Sequence, residues 1–406
     1  MLLFYLYFCL RGLLGEPDLA SNLISLDDLK LYSISRTVQD WKCPRSLWWS
    51  HEYGGKGLSS ASTALELFLG ISLHDSLAGI ATFQRDTGTV DIDLIADTAA
   101  TNIFESLMRN AGGNVEAEPF AHEQAALVEG LVRGFYRYVW PSLLQRYPKI
   151  ISVEEPMLYR HDINGKPDVN GDFVFMSKPD LILADESGTQ IYCEYKSSSS
   201  KSPEWTASWE TAVQVHSVIR AVEQTTGTAP GSCIVQGLYK GYFDKRYKRQ
   251  NSGLCYGYGK VGQPPFTADQ ISYDYKPGLR KLPVWEMEGG VKAWVDNMPI
   301  ETLAENYMQS PPIFIREHLV DGFFRQRAQR QNQIWDARLL IKADPAATDM
   351  VLDSVFQQRF DQCSPSFGRG CQFKPLCHGG QSPEMAGFVA RDNSHEGEYL
   401  EKLKDA

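Results

Sequence analysis

The sequence predicts an α/β protein with a central mixed sheet flanked by helices. Short apolar runs bounded by turn residues alternate with longer segments of helical periodicity, a pattern typical of that class. The chain of 406 residues is 43% hydrophobic and 12% aromatic, which is enough to bury a large core. Its net charge of -10 argues against a protein that coats nucleic acid nonspecifically, because such binding depends on neutralising phosphates.

The predicted elements run in the order helical entry, sheet core and helical exit. Helices are predicted at residues 33–50, 60–82, 122–147, 205–225 and 316–342, and strands at 150–160, 172–184, 190–196 and 232–243. Residues 244–285 are rich in Gly, Pro, Tyr and Lys and are predicted to form an insertion or an extended hairpin. One domain is predicted over residues 33–378, with an N-terminal extension at 1–32 and a loose, polar C-terminal tail at 379–406.

The N-terminal extension begins with an apolar run from Met1 to Leu10 that ends at Arg11. The run is too short to span a bilayer, which takes about twenty residues, and it lacks the leader and cleavage site of a secretory signal. A peripheral helix and an upstream extension outside the functional domain both fit. We therefore expect no membrane span and a cytoplasmic protein, located in the host cytoplasm if a phage encodes it.

Two carboxylates and a lysine are predicted to meet in one hairpin. The apolar run Leu181–Ala184 follows Asp180, and a second strand rich in aromatic residues contains Glu194 and Lys196. Because side chains alternate along a strand, Glu194 and Lys196 share one face, and the hairpin places Asp180 beside them. Carboxylates that bind Mg2+ or Mn2+, next to an ammonium group, suit phosphodiester hydrolysis. The alternative is a hairpin with solvated charges.

Several motifs extend this interpretation by their order. A Gly-x-x-x-His element at Gly70–His74 precedes Asp180 and the Glu194-x-Lys196 pair, and Gln214 follows in a predicted helix. This order resembles the PD-(D/E)xK nuclease superfamily, in particular its RecB-like branch. That branch includes iron-sulfur exonucleases associated with CRISPR adaptation and with helicase-nuclease repair complexes.

The resemblance implies a restriction-endonuclease-like core and a role for each motif residue. The implied catalytic residues are Asp180, Glu194, Lys196 and Gln214, and the implied metal ligands are His74, Asp180 and Glu194. By itself His74 is also explained as an exposed helical residue, since it has no ligand spacing of its own. The chain departs from the family at Val218, where a tyrosine usually follows the glutamine. Glu154 and Glu155 end an apolar run and could come near the metal, but neither is included in the predicted site.

Four of the eight cysteines form a second group in the sequence. RecB-like iron-sulfur nucleases bring one cysteine from before the core together with three from after it, and the resemblance assigns a 4Fe-4S cluster to Cys43, Cys363, Cys371 and Cys377. The cluster would be structural and would join the two ends of the domain. Four thiolates also suit zinc, and spacing does not separate the two. Disulfides are a third option, although a chain this long does not need them.

A basic segment interleaved with aromatic residues follows the last predicted strand of the core. Its cations are Lys240, Lys245, Arg246, Lys248 and Arg249. Such a segment can hold a nucleic-acid backbone while aromatic rings stack on unpaired bases. A solvated edge strand protected by lysines explains it equally well.

The resemblance implies a Mg2+- or Mn2+-dependent DNA nuclease. We expect an exonuclease or end-processing enzyme that acts on single-stranded or frayed DNA in recombination, repair, phage replication or defence. The chain has no Gly-Lys-Ser/Thr helicase motif, so a helicase or a recombination or defence complex is the expected partner for unwinding. Two alternatives stay open: a catalytically weak DNA-binding or scaffold subunit, and a zinc-binding interaction module.

Overall fold

A computed structural model describes residues 29–60, 65–199, 201–244, 248–250, 253–260, 264–274, 276–363, 370–391 and 399. The fold is mixed α/β with helices and several sheets, as the sequence predicts. Among the helices described, none combines the length and the apolar character needed to cross a membrane. Most of the predicted N-terminal extension lies outside the described residues.

Helices and strands occur in both halves of the described chain, often in runs of several elements of one kind. The helices are α1 (Ile34–Lys42), α2 (Pro44–Leu47), α3 (Leu65–Thr87), α4 (Ile92–Asn110), α5 (Glu118–Gly134), α6 (Trp140–Arg146), α7 (Pro203–Ser208), α8 (Val213–Thr226), α9 (Gly290–Asn297), α10 (Ile300–Ala304), α11 (Glu317–Ala343), α12 (Thr348–Ser354), α13 (Phe360–Cys363) and α14 (Lys374–His378). The strands are β1 (Lys30–Ser33), β2 (Leu58–Ser60), β3 (Lys149–Val153), β4 (Met157–His161), β5 (Phe173–Ser177), β6 (Leu181–Ala184), β7 (Gln190–Ser198), β8 (Ser232–Tyr239), β9 (Tyr242–Asp244), β10 (Lys248–Gln250), β11 (Tyr256–Gly259), β12 (Arg280–Pro283), β13 (Tyr307–Gln309), β14 (Ile313–Phe314) and β15 (Phe388–Ala390).

The main sheet has the strand order β13-β8-β7-β6-β3, and β14 also pairs with β8. Strands β7 and β8 are parallel, while the other pairs of this sheet are antiparallel. In the β6–β7 hairpin Leu181 lies opposite Cys193, so Asp180 comes next to Glu194 at the start of the hairpin ladder. The predicted hairpin is therefore present.

Both faces of the main sheet are buried. Helices α3, α4 and α5 cover one face, where Leu181, Leu183 and Cys193 are in the core. Helices α8 and α11, together with a second sheet of order β1-β5-β4, cover the face of Ile182 and Tyr192. Burial on both faces explains why these strands are nearly continuous apolar runs and not an alternation of apolar and polar residues.

Three predicted strands are wrong as single elements. The strand predicted at 232–243 is β8 and β9, and the other two are divided at prolines. The strand predicted at 150–160 is β3 and β4, and the strand predicted at 172–184 is β5 and β6; each pair is divided between the two sheets. The breaks contain Pro156 and Pro179, which have no N–H to donate to a sheet. The two breaks lie together, since the Glu154 N–H donates to the Asp180 carbonyl at 3.2 Å.

Helix α4 is missing from the sequence prediction. The Asp91 carboxylate caps its first turn by accepting the Leu94 N–H at 3.0 Å, a helix-start signal that the prediction did not use. The buried guanidinium of Arg133 on α5 binds Asp93 and Asp97 of α4, at 2.5 Å each. These ion pairs fix the two helices against each other over the first face of the sheet.

Segments of the predicted insertion and of the predicted tail pack on this domain. Within 244–285 strands β11 and β12 form an antiparallel pair, and Leu254 and Cys255 are buried in the main core. Within the predicted tail β15 pairs with β2, and Phe388 is buried. The described part of the tail is therefore not loose.

Candidate metal site and cysteine group

Asp180, Glu194, Lys196 and His74 come together at the start of the β6–β7 hairpin. His74 lies on α3, which crosses β7. Its Nδ1 is 3.3 Å from Asp180 Oδ1. The other oxygen of Asp180 accepts the Tyr195 backbone N–H at 2.6 Å, which fixes the orientation of the carboxylate.

Glu194 is buried and is held by two donors. Both the Lys196 ammonium and the Gln214 side-chain amide reach Glu194 Oε1, the amide at 2.5 Å. Burial and the nearby charge of Asp180 raise the pKa of Glu194 to about 7, against the effect of Lys196. Gln214 is in α8 as predicted, and Val218 of the same helix is buried in the core and not at the site.

Glu154 completes the site, although the sequence analysis left it out. Ligand atoms of His74, Glu154 and Asp180 lie within 4.8 Å of one another. Glu154 has a φ of 49°, and it is the only non-glycine residue in the described chain with a positive φ. Such backbone strain concentrates at functional sites. Its place at the end of an apolar run indicates that Glu154 could come near the metal, but no sequence pattern predicts its left-handed backbone.

The charges around the site favour a bound cation. Burial raises the pKa of Glu154, and the charge of Asp180 raises it further. Burial lowers the pKa of His74, but the hydrogen bond with Asp180 and the charges of Asp180 and Glu194 together outweigh burial, and the pKa is raised overall. Carboxylates crowded in this way repel one another until a proton or a cation neutralises them. Oxygen ligands with one imidazole suit a hard or borderline divalent cation such as Mg2+ or Mn2+.

Lys196 stays an ammonium group within this site. Burial lowers its pKa, but the charges of Glu194 and Asp180 outweigh burial and raise the pKa above its usual value. Its Nζ is also 5.9 Å from the centre of the Trp209 ring. The positive charge of the Lys196 ammonium group therefore lies beside the carboxylates at neutral pH.

The four cysteines assigned to the second group also converge. Cys43 Sγ accepts the Arg359 backbone N–H at 3.4 Å, and Cys363 Sγ lies 3.7 Å from the Arg359 carbonyl oxygen. The Cys371 backbone N–H donates to the Cys363 carbonyl at 3.4 Å. Burial raises the pKa of Cys363, and Cys371, Cys43 and Cys377 raise it further. All four are free thiols. Cys43 lies at the break between α1 and α2, and the other three lie in the segment from α13 to α14.

Two side chains contact these sulfurs. The Trp49 indole N–H donates to Cys377 Sγ at 3.1 Å, and His378 Nε2 is 3.3 Å from Cys363 Sγ. Neither is predicted from the sequence, because nothing in the spacing of Trp49 or His378 marks them. A donor such as the Trp49 N–H stabilises a thiolate, the form in which cysteine binds metals.

The basic segment follows β8. The Lys240 backbone N–H donates to the Ser198 carbonyl at 2.8 Å, so the segment begins beside the end of β7. Lys248 and Arg249 belong to β10, which pairs with β9 in a hairpin. Lys245 and Arg246 lie outside the described residues. Strands β7 and β8 are parallel, so their C-terminal ends lie at the same edge of the sheet. The hairpin follows β8 at this edge, and Glu194 and Lys196 lie from the middle of β7 towards it.

No family model matches the sequence, and no curated protein matches it significantly.

Proposed function

We propose that this protein is a Mg2+- or Mn2+-dependent DNA nuclease, acting as an exonuclease or end-processing enzyme. The observation that carries the proposal is the convergence of His74, Glu154 and Asp180 within 4.8 Å, with Lys196 bound to the adjacent Glu194. Single-stranded or frayed DNA is the proposed substrate, in recombination, repair, phage replication or defence. A helicase or a recombination or defence complex in the cytoplasm is the proposed partner.

Each residue of the site would have a separate role in hydrolysis. His74, Glu154 and Asp180 would hold the cation, and Glu194 lies next to them. A bound divalent cation lowers the pKa of its water and offsets charge on the phosphate. Lys196 would orient the attacking water or neutralise the charge that develops on the phosphate. Gln214 keeps Glu194 in place through its 2.5 Å hydrogen bond.

We also propose that Cys43, Cys363, Cys371 and Cys377 hold a structural 4Fe-4S cluster. What supports a cluster is the resemblance, with one cysteine before the core and three after it. Four thiolates also suit zinc, which stays the alternative. The cluster would join the α1–α2 break to the C-terminal segment.

The nuclease proposal is tested by cleavage of end-labelled single-stranded and double-stranded DNA. Protein purified without oxygen should release the end label from the DNA when Mn2+ is present. The release should stop when EDTA is added. Lys196→Met should lower the rate about a hundredfold or more, because a group that offsets transition-state charge is lost. Lys149→Met removes an exposed lysine from the same sheet and should leave the rate unchanged. No cleavage by folded, metal-loaded protein that still binds DNA tightly would favour the scaffold alternative.

The cluster proposal predicts the metal content of the purified protein. Wild-type protein should contain iron and sulfide, and Cys377→Ala should lose most of both, since a thiolate ligand is removed. Cys255→Ala is the matched control, because Cys255 is a buried cysteine of the main core, outside the group of four. One zinc per chain without iron, measured by elemental analysis, would contradict the cluster and support the zinc alternative.

A further inference from the structure

The face of the main sheet that carries Lys196 continues beyond the metal site. In the parallel pair β7–β8, Lys196 lies opposite Gly237, and the next pair on the same face is Ser198 and Tyr239. Two residues of strand rise by about 6.6 Å, so Tyr239 is one same-face step from Lys196. Tyr239 is half-buried at the end of β8.

Two tryptophans from the segment before α8 cover the first of these positions. The Trp205 ring lies over Gly237, where an added Cβ would be 2.6 Å from it. Only glycine admits the ring there. Trp209 contacts Trp205 edge to face, with ring centres 5.8 Å apart. Trp209 is half-buried, and Lys196 Nζ is 5.9 Å from the centre of its ring.

The second position repeats this combination of ring and cation. Lys201 is exposed, and its Nζ is 5.9 Å from the centre of the Tyr239 ring. An aromatic face next to an ammonium group is what a nucleotide requires, because the base stacks on the ring and the phosphate contacts the cation. The protein as a whole is acidic, with a net charge of -10, so such contacts have to be local.

We propose that Trp209, Lys196, Tyr239 and Lys201 form an aromatic track that binds a single strand of nucleic acid leading to the metal site. One base stacks on Trp209 and another on Tyr239. Duplex DNA does not fit this track, since its paired bases stack on one another and offer no free face. The inference rests on the proposed nuclease function and adds the residues that bind the strand next to the same site, but binding to the track requires neither metal nor cleavage.

The test measures binding separately from hydrolysis. Fluorescence anisotropy of labelled oligo(dT) of about 20 nucleotides, longer than the 4–16 that one such site covers, is followed with the intact chain in EDTA. Trp209→Ala and Tyr239→Ala should each weaken binding about tenfold, and Trp209→Phe should retain most of it. Phe314→Ala is the control, because Phe314 is exposed and pairs at the opposite end of β8; it should bind as wild type does.

Each result has a defined meaning. Wild-type affinity in folded Tyr239→Ala would overturn the track, even if Trp209→Ala failed to fold. Blunt duplex DNA that bound as tightly as oligo(dT) would also overturn it. Oligo(U) should bind comparably, because the track reads base faces. Weakened binding in the variants without any cleavage by wild type would keep the track and reject hydrolysis, whereas metal-dependent cleavage with unchanged binding would reject the track alone.

Discussion

Asp180→Asn should abolish metal-dependent DNA cleavage by this protein. The substitution keeps the shape of the side chain, and its remaining oxygen can still accept the Tyr195 N–H that Asp180 accepts at 2.6 Å. It removes the negative charge shared between His74 and Glu154 at the proposed cation site. We expect the cleavage rate to fall at least about a hundredfold, the loss typical when one electrostatic contribution to the transition state is removed.

Metal binding gives an independent measurement of the same substitution. Titration of Mn2+ into the chain, with free Mn2+ followed by electron paramagnetic resonance, should show one tight site in wild type that Asp180→Asn weakens strongly. Asp86→Asn is a suitable control, since Asp86 is exposed and lies near the end of α3, the helix that carries His74. Undiminished cleavage, or undiminished Mn2+ affinity, in Asp180→Asn would reject the assignment of this carboxylate.

The sequence predicts those site residues whose positions follow from the local pattern of strands and turns. Strand alternation and a short turn place Asp180 beside Glu194 and Lys196, and the observed register has that arrangement. Only the resemblance to the nuclease family points to Gln214 as a site residue, and in the structure its side-chain amide donates to Glu194. The sequence does not assign Glu154 to the site, because its position depends on a left-handed backbone conformation and on two strand breaks that lie together in the fold.

Helix α4 was missed for a different reason. Its buried positions include the small residues Ala96 and Ala99, so the apolar stripe that marks an amphipathic helix is weak. The approach of Cys43 to Cys363 is also invisible to local patterns, because more than 300 residues separate them in the chain. Cys43 directly follows α1, and the buried Asp40 carboxylate of α1 pairs with two arginines of α11.

Asp40→Ala should destabilise the protein by about 3–5 kcal/mol, the cost of removing one partner from a buried ion pair. Asp40 on α1 is buried and accepts from Arg327 and Arg330 of α11, each at 2.8 Å. The Arg327 side chain is itself buried, and its Nε and Nη2 have no partner among the described residues. Without Asp40 the guanidinium would stay buried with no carboxylate, and urea denaturation at pH 7 should measure the loss.

The pH dependence of stability separates this ion pair from simple packing. Burial alone would raise the pKa of Asp40, but the two arginines outweigh burial and lower the pKa below its usual value of 3.8. A lowered pKa in the folded state contributes stability that is fully present above the unfolded pKa and is lost as the pH falls through the folded pKa. The free energy of unfolding of the wild type should therefore fall as the pH is lowered below about 4. In Asp40→Ala this contribution is already missing, so its free energy of unfolding should fall less over the same pH range.

A control variant shows whether burial makes the difference. Asp353 also pairs with an arginine, Arg45, at 3.2 Å, but its side chain is 86% exposed. Asp353→Ala should cost no more than about 1 kcal/mol, because water screens an exposed pair. Similar losses in Asp40→Ala and Asp353→Ala would contradict the buried ion pair as the link between the two helices. A large loss confined to Asp40→Ala, together with a lower iron content, would connect this link to the position of Cys43.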